Sequence, residues 1–244
     1  MRGRRSMRVR RPRVRGGRAA VLLAGVFLAA TGLLGTPAGA AAQGPLGKLQ
    51  LRVEPRFGML LPGQYLYIQY QSYNPLVWTT GKMGRTGMAG VTAELRLGDG
   101  IRLRGTVMHS FRGWLYSRYA VLIPPAGYNP PTEDVTWFDV PAALTTGSID
   151  VVLPTWIHPL GTQPYVLAGI AGKRYDFGQP TATDSVGAIL PDNGVVGALD
   201  LGGGIELSVL GLDLDLQARD AIGRYWGRTQ HDVVATAGVV WRLF

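Results

Sequence analysis

Histidine and serine side chains are the first candidates for catalysis in this sequence. His109 and Ser110 are adjacent in a segment that alternates like a β-strand, so they point to opposite faces and cannot form a nucleophile–base pair with each other. His158 precedes a proline in a predicted turn, and His231 directly precedes the last predicted strand, so neither has the spacing of a metal site. We predict no catalytic, cofactor or metal site in this chain.

Two further sequence features exclude other kinds of chemistry. The chain has no Cys, which excludes a disulfide framework and a thiolate metal site. The run Gly202-Gly203-Gly204 is not followed by a Lys or by a helical pattern, as a phosphate-binding loop would be. We interpret it as a stretch without side chains that relieves crowding in a packed interior.

The distribution of charge argues against a nucleic-acid partner, although the formal charge is +9. Nine arginines lie within residues 2–18, and no acidic residue occurs before Glu54. The chain after residue 42 therefore has 16 basic and 16 acidic side chains, because 9 of the 25 basic residues lie before it. A neutral domain lacks the basic patch that nucleic-acid binding requires.

The N-terminal segment has the three parts of a secretory signal peptide. Residues 2–18 are basic, residues 19–34 are mostly apolar, and residues 40–42 form an Ala-Ala-Ala cleavage site. We predict a cleaved signal over residues 1–42 and one mature domain over residues 43–244, with a retained anchor as the alternative. A lipoprotein is excluded, because a lipid anchor requires a Cys.

The mature chain has a hydrophobic period of two, which predicts strands. Every odd position from Leu49 to Met59 is apolar, and the even positions are polar or Gly. The same pattern predicts eight strands, at residues 49–61, 87–97, 101–112, 147–157, 165–177, 197–209, 212–222 and 232–243.

The connections between these strands alternate strictly between short and long. The short ones lie at 98–100, 158–164 and 210–211, and the long ones at 62–86, 113–146, 178–196 and 223–231. This layout is typical of a closed, antiparallel, up-and-down transmembrane β-barrel. Eight strands are expected, and residues 64–71 would then form a hairpin arm. A barrel of ten results if residues 64–71 and 135–140 enter the wall.

The architecture resembles the small bacterial outer-membrane barrels of the OmpA/OmpX or OmpW-like type, over nearly all of residues 49–244. The resemblance implies export to the outer membrane, contact with outer-membrane lipids and extracellular long loops. It also implies that the C-terminal aromatic, Phe244, is an assembly signal for the barrel-assembly machinery. Arg242 and Gly238 share the parity of Phe244, which departs from the apolar pattern of that signal.

The period of two also divides the strands into a lipid-facing and a lumenal set. Charges on the outer wall of a barrel are costly, so the apolar parity must face lipid. The charged parity then faces the lumen, where buried charges must pair. The predicted lumenal network contains seven basic and seven acidic residues: Arg52, Arg56, Arg96, Arg102, Arg104, Arg219, Arg242, Glu54, Glu94, Asp150, Asp200, Glu206, Asp213 and Asp215. In a soluble β-sandwich, the alternative fold, the same charges would form a solvated outer face.

Aromatic residues cluster near both ends of the predicted strands, as in the interfacial bands of a membrane barrel. The predicted bands contain Trp156, Tyr165, Trp241 and Phe244 at the short-turn end, and Phe111, Trp114, Tyr116, Tyr175, Phe177, Tyr225 and Trp226 at the long-loop end.

The first long connection is rich in Tyr and Gln, which binding surfaces often use. We name Tyr67, Tyr70 and Trp78, together with Arg85, as candidate contacts for an extracellular ligand. The functional prediction is a non-enzymatic barrel with a closed, salt-bridged lumen and a structural or surface-interaction role. The alternatives are an outer-membrane channel for small solutes or hydrophobic molecules, and a membrane-embedded lipid-modifying enzyme.

Overall fold

The computed structural model describes most of the chain after residue 49. The described residues are 50–63, 66–73, 76–97, 100–123, 132–156, 162–179 and 193–243. The predicted signal segment, Phe244 and most of the connection at 178–196 lie outside these ranges. Within them, no helix has the length and apolar character needed to cross a membrane.

Twelve antiparallel strands make up the described chain. Their bounds are β1 Gln50–Pro62, β2 Tyr67–Tyr73, β3 Leu76–Met83, β4 Thr86–Leu97, β5 Ile101–Ser110, β6 Gly113–Ile123, β7 Thr132–Pro154, β8 Gln163–Phe177, β9 Gly194–Val209, β10 Leu212–Tyr225, β11 Arg228–Val239 and β12 Trp241–Arg242. Period-two alternation underlies these strands, because each strand has one face in a packed interior and one face outside it.

Eight of the strands form a closed ring. Its order is β1-β4-β5-β7-β8-β9-β10-β11, and pairing of β11 with β1 completes the circle. The short strand β12 also pairs with β1, where Arg52 lies opposite Arg242. The predicted closed, up-and-down barrel of eight strands is therefore confirmed, and the alternative of ten strands is wrong.

Part of the same sheet continues beyond the ring at its long-loop end and is called the extension. It contains β2, β3, β6 and residues 132–142 of β7, in that order. The expectation that 62–86 and 113–146 are loops was wrong, whereas the predicted hairpin arm is present as β2 and β3. Residues 135–140 pair with β6 and stay outside the ring, because β7 is long enough to belong to both the ring and the extension.

The predicted long connection at 223–231 is instead a tight hairpin. β10 continues to Tyr225 and β11 begins at Arg228, so only Trp226 and Gly227 join them, both with positive φ (47° and 75°). Two left-handed residues match the twist of a two-residue hairpin. The turn was missed because a bulky Trp occupies a position that Asn or Gly usually fills.

Exposure alternates along the ring strands, with one set of side chains inside the ring and the other outside. Phe57, Val151 and Leu199 are exposed on the outside, while the residues that flank Val151 in sequence are buried. The sequence left the register of β8 open. The structure places Tyr165 and Lys173 inside the ring and Ile170 outside.

Candidate functional site

The charged residues of the ring meet because their strands are in register. Arg52 of β1 lies opposite Glu94 of β4, and Glu94 lies opposite Arg104 of β5. On the other side of the ring, Glu206 of β9 lies opposite Asp215 of β10. Side chains directly opposite each other in a sheet share one face, so all five point into the ring.

Glu94 is the first centre of this network. Its Oε2 atom accepts hydrogen bonds from Nε and Nη2 of Arg104, at 2.9 and 2.5 Å. Its Oε1 atom lies 3.5 Å from Arg102 Nη1 and 3.7 Å from Arg52 Nη1. Because Glu94 is fully buried, these three guanidinium groups replace the water that would otherwise solvate its charge.

Asp215 is the second centre, and it adds a tyrosine to the charged groups. Arg56 Nη2 and Arg104 Nη2 lie 2.7 and 3.0 Å from Asp215 Oδ2, and Arg56 also contacts Glu54. The hydroxyl of Tyr165 accepts a hydrogen bond from Arg104 at 2.8 Å and donates one to Asp215 Oδ1 at 2.6 Å. The tyrosine therefore connects the two centres from β8.

Glu206 bridges the interior between distant strands. It contacts Arg102 of β5 and lies 3.1 Å from Arg52 of β1. Together these contacts join β1, β4, β5, β8, β9 and β10 through side chains across the ring. A separate pair links Arg219 to Asp200 at 2.8 Å, with Asp150 at 3.9 Å.

Three of the fourteen predicted lumenal residues lie at the short-turn mouth rather than in the buried network. Arg242 pairs with Asp213 at 2.6 Å, and its side chain is 63% exposed. Arg96 is half-buried, and no ion pair involves it within the described ranges. All three line a polar cavity of about 320 Å³ at this mouth. They are near the last turns of their strands, where the ring opens to solvent.

A third cluster of polar side chains lies inside the ring, and the sequence pattern did not predict it. Lys173 Nζ lies 2.8 Å from Asp232 Oδ2, and the hydroxyl of Tyr175 donates to the same oxygen at 2.6 Å. The lysine also donates to the Ala221 carbonyl oxygen at 2.9 Å. The weak alternation of β8 concealed both Lys173 and Tyr175, and the predicted start of the last strand concealed Asp232.

The aromatic residues are only partly arranged as the sequence predicted. Trp156, Trp241 and Phe111 are exposed. Tyr165, Tyr175 and Tyr225, however, are buried inside the ring and do not belong to an outer band. The sequence placed them outside because proximity to a strand end does not specify the face when the alternation is weak.

Apolar side chains fill most of the long-loop half of the interior, around the buried Lys173–Asp232 pair. Buried side chains from the ring and from the inner face of the extension form one cluster there. Its members are Leu60, Leu66, Met83, Met88, Met108, Leu115, Phe138, Val140, Ala142, Leu144, Tyr175, Tyr225 and Val234. Gln230 of β11 donates a hydrogen bond to the Leu66 carbonyl oxygen at 2.9 Å. This bond links the start of the hairpin arm, just before β2, to the ring.

The outer face of the extension contains two of the candidate contact residues. Tyr70 is half exposed, and Trp78 packs on Arg118, whose guanidinium carbon lies 5.7 Å from the Trp78 ring centroid and 5.8 Å from that of Trp137. Tyr67 belongs to β2, but its side chain lies outside the described part of the structure. Arg85 is exposed where β3 passes into β4.

The candidate catalytic residues have ordinary structural partners. His109 Nδ1 lies 2.8 Å from Thr145 Oγ1 on the outer face, and the buried Ser110 hydroxyl accepts a hydrogen bond from the Leu144 amide. His231 pairs with Asp220 on the outside of the ring. Within the described ranges, no three His, Cys, Asp or Glu side chains are grouped as metal ligands.

Comparison with known proteins identifies the fold. The sequence matches no protein-family model and no curated protein. The outer membrane protein OprG of Pseudomonas aeruginosa matches 79% of this chain and 95% of its own, with a TM-score of 0.50 and 10% sequence identity. The predicted resemblance to small outer-membrane barrels is thus confirmed for the fold.

Two other solved barrels match over a similar length. Ail of Yersinia pestis is 9% identical over 79% of this chain and 99% of its own, with a TM-score of 0.41. The N-terminal β-barrel domain of Pseudomonas aeruginosa OprF is 13% identical over 80% of this chain and 100% of its own, with a TM-score of 0.40.

Proposed function

We propose that this chain is a non-enzymatic β-barrel of the bacterial outer membrane with a closed lumen. Residues 1–42 direct export and are removed, and residues 43–244 form the mature barrel. The protein acts through its extension, as a structural or surface-interaction protein. The apolar outer face of an eight-stranded ring supports the membrane location, because lipid requires an apolar wall without free strand edges.

The proposal of a closed lumen rests on the burial of the interior ion pairs. Arg56, Arg104, Glu54, Glu94 and Asp215 are each 0% exposed, although they lie inside a ring that would hold water if it conducted ions. An interior of eight strands is just wide enough to be filled by side chains. Above the network, the apolar cluster and the buried Lys173–Asp232 pair fill the remaining half.

Conductance of the refolded protein in a planar lipid bilayer tests this proposal. We expect no stable single-channel steps, and we expect the folded barrel to migrate differently on a gel before and after boiling. Large ion-selective steps from a heat-modifiable preparation would contradict a closed lumen. Recovery of the mature protein as a soluble periplasmic species would contradict the membrane location.

A groove in the outer wall favours a lateral channel for hydrophobic molecules as the second candidate. The groove has a volume of about 780 Å³ and is lined by Phe57, Met59, Ala218, Ala235 and Ala237, among other residues of β1, β9, β10 and β11. The buried side chains of Gln217 and Thr236 separate it from the interior. Uptake of an apolar dye into vesicles that contain the protein, in the absence of ion conductance, would favour this candidate.

The assembly role of Phe244 follows from the resemblance to outer-membrane barrels and requires its own test. Deletion of Phe244 should lower the yield of assembled barrel in cells without changing the stability of the molecules that fold. An unchanged yield would show that the last residue is not a signal for the assembly machinery in this chain.

A further inference from the structure

The lumenal charges toward the short turns are not balanced. Arg219 pairs separately with Asp200 and Asp150, which removes one arginine and two carboxylates from the predicted lumenal set. Six arginines and five carboxylates then remain: Arg52, Arg56, Arg96, Arg102, Arg104 and Arg242 against Glu54, Glu94, Glu206, Asp213 and Asp215. One positive charge is therefore in excess among these described residues.

Arg96 carries this excess charge at the short-turn mouth. Among the residues that the structure describes, no carboxylate lies within 4.0 Å of its guanidinium group. The strand register also sets Arg96 directly opposite Arg102, and Arg52 directly opposite Arg242. Like charges opposite each other destabilise an antiparallel pair, whereas an anion between them is attracted by both. Two such pairs at one mouth favour an anion site there.

A polar cavity of about 320 Å³ opens among these arginines and is called the mouth cavity. Its wall includes Arg52, Arg96 and Arg242, together with the amide side chains of Gln50 and Gln163. At the roughly 30 Å³ that one water occupies in the liquid, this volume corresponds to about ten waters. The mouth cavity is therefore large enough for a small organic molecule rather than only a single ion.

Two buried guanidinium groups beside this surplus charge have an unused donor. Arg52 is only 5% exposed, and its Nε atom has no hydrogen-bond acceptor among the described residues. The same is true of Nη2 of the buried Arg102. Buried donors without an acceptor are costly. Because Arg52 lines the mouth cavity, an oxyanion held there can accept from both Arg52 and Arg96.

The acidic residues of the cavity wall decide which anion fits. Glu206 is held by Arg52 and Arg102, and Asp213 is held by Arg242, so both carboxylates already have cations. A singly charged carboxylate neutralises the one surplus charge, whereas a doubly charged phosphate would exceed it and would be repelled by both acids. The two oxygens of a carboxylate also match the planar fork of a guanidinium group.

We propose that the mouth cavity binds a small organic acid through a single carboxylate group. Arg96 and Arg52 donate to the carboxylate oxygens, and the amides of Gln50 and Gln163 contact the polar remainder of the ligand. In the proposed outer-membrane orientation this mouth opens to the periplasm, and that location of the ligand rests on the proposed function. The site itself depends only on the folded ring.

Isothermal titration calorimetry of the barrel, folded in a non-ionic detergent and a carboxylate-free buffer, tests the proposal. The probes are N-acetylalanine and its neutral amide, which differ only in the carboxylate. We expect the acid to bind about tenfold more tightly, as charge-assisted hydrogen bonds imply. Arg96→Gln should abolish this preference. Arg85→Gln is the matched control, since it removes an exposed arginine far from the mouth, and it should keep the preference.

Unfolding in the absence of ligand gives a second readout that a merely structural arginine would not produce. Arg96→Gln removes a charge that faces Arg102 and leaves no described carboxylate without its cation. The urea midpoint of unfolding from lipid vesicles should therefore rise in this variant, while Arg85→Gln leaves it unchanged. A lower midpoint for Arg96→Gln would show that the arginine stabilises the ring itself and would overturn the surplus charge.

Three results of the titration would overturn the carboxylate site. They are equal affinity for the acid and the amide, retention of the preference in Arg96→Gln, and tighter binding of inorganic phosphate than of N-acetylalanine. If Arg96→Gln does not fold, Arg96→Lys replaces it, and the loss of the planar fork should still weaken the preference.

Heat modifiability and membrane fractionation of the same preparation separate this inference from the proposed function. A heat-modifiable barrel in the outer membrane that binds neither probe overturns the mouth site alone. A conducting or soluble protein that still prefers the acid contradicts the proposed function and leaves the mouth site in place.

Discussion

The two halves of the barrel interior are filled in opposite ways. Toward the short turns, long charged side chains of the ring strands meet one another across the ring, as Arg104 does with Asp215. Toward the long connections, apolar side chains surround the buried Lys173–Asp232 pair. Met83, Leu115 and Phe138 enter this half from the extension. We call these the charged half and the apolar half.

The difference shows what each kind of filling requires. Arginine is long and has five donors, so one ring of strands can fill its own interior with guanidinium–carboxylate contacts. Apolar side chains must be packed closely and excluded from water, so the apolar half needs a second layer to cover it. The extension supplies that layer.

The largest effect is expected in the charged half. Replacing Arg56 with Ala leaves the buried carboxylates of Glu54 and Asp215 without one of their cations, which should cost about 3–5 kcal/mol. Val53→Ala, on the lipid-facing side of the same strand, is the control and should cost less. Urea unfolding from lipid vesicles, followed by Trp fluorescence, measures both. Equal costs would mean that water reaches the network.

In the apolar half, Leu115→Ala should lower the free energy of unfolding by about 2–4 kcal/mol, because it leaves a cavity between extension and ring. The adjacent Tyr116 lies on the outer face and is half exposed, so Tyr116→Ala is the matched control and should change stability little. A loss of protease resistance that is confined to the extension, without a change in the ring, would show that the extension and the ring unfold separately.

A smaller effect is expected where a glycine accommodates the network. A Cβ atom at Gly204 would lie 2.4 Å from the Tyr165 hydroxyl and 2.4 Å from the Leu216 carbonyl oxygen. Gly204→Ala should therefore cost about 1–3 kcal/mol in the unfolding assay. Gly197 of the same strand has no atom within 4 Å of its Cβ position, so Gly197→Ala should be tolerated. Equal tolerance at the two positions would mean that Tyr165 can move away from the network.

The smallest effect is expected at the short-turn mouth. Asp213→Asn breaks the pair with Arg242, whose side chain is mostly exposed, and should cost less than about 1 kcal/mol. The cost should fall further as salt is added, because exposed charges are screened. A loss as large as that of Arg56→Ala would mean that this pair belongs to the buried network.

Residue types and their spacing were sufficient to predict the ring and most of its interior. Alternation placed Arg52, Glu94 and Arg104 on one face, and the short turns beside their strands put them at one end. A side chain's face depends only on its position in the strand, so a period of two reports it directly. Where alternation is weak, as around Tyr165, the face could not be assigned.

The partners of these side chains depended on tertiary structure. Strand order and register decided that Glu94 receives three arginines and that Asp215 receives Tyr165. The same pairing made strands of the long connections, because β6 gained partners in β3 and β7. The sequence by itself determined which side of each strand is apolar, since that is a local property. Only the folded chain decided which strands meet, because pairing joins residues far apart in sequence.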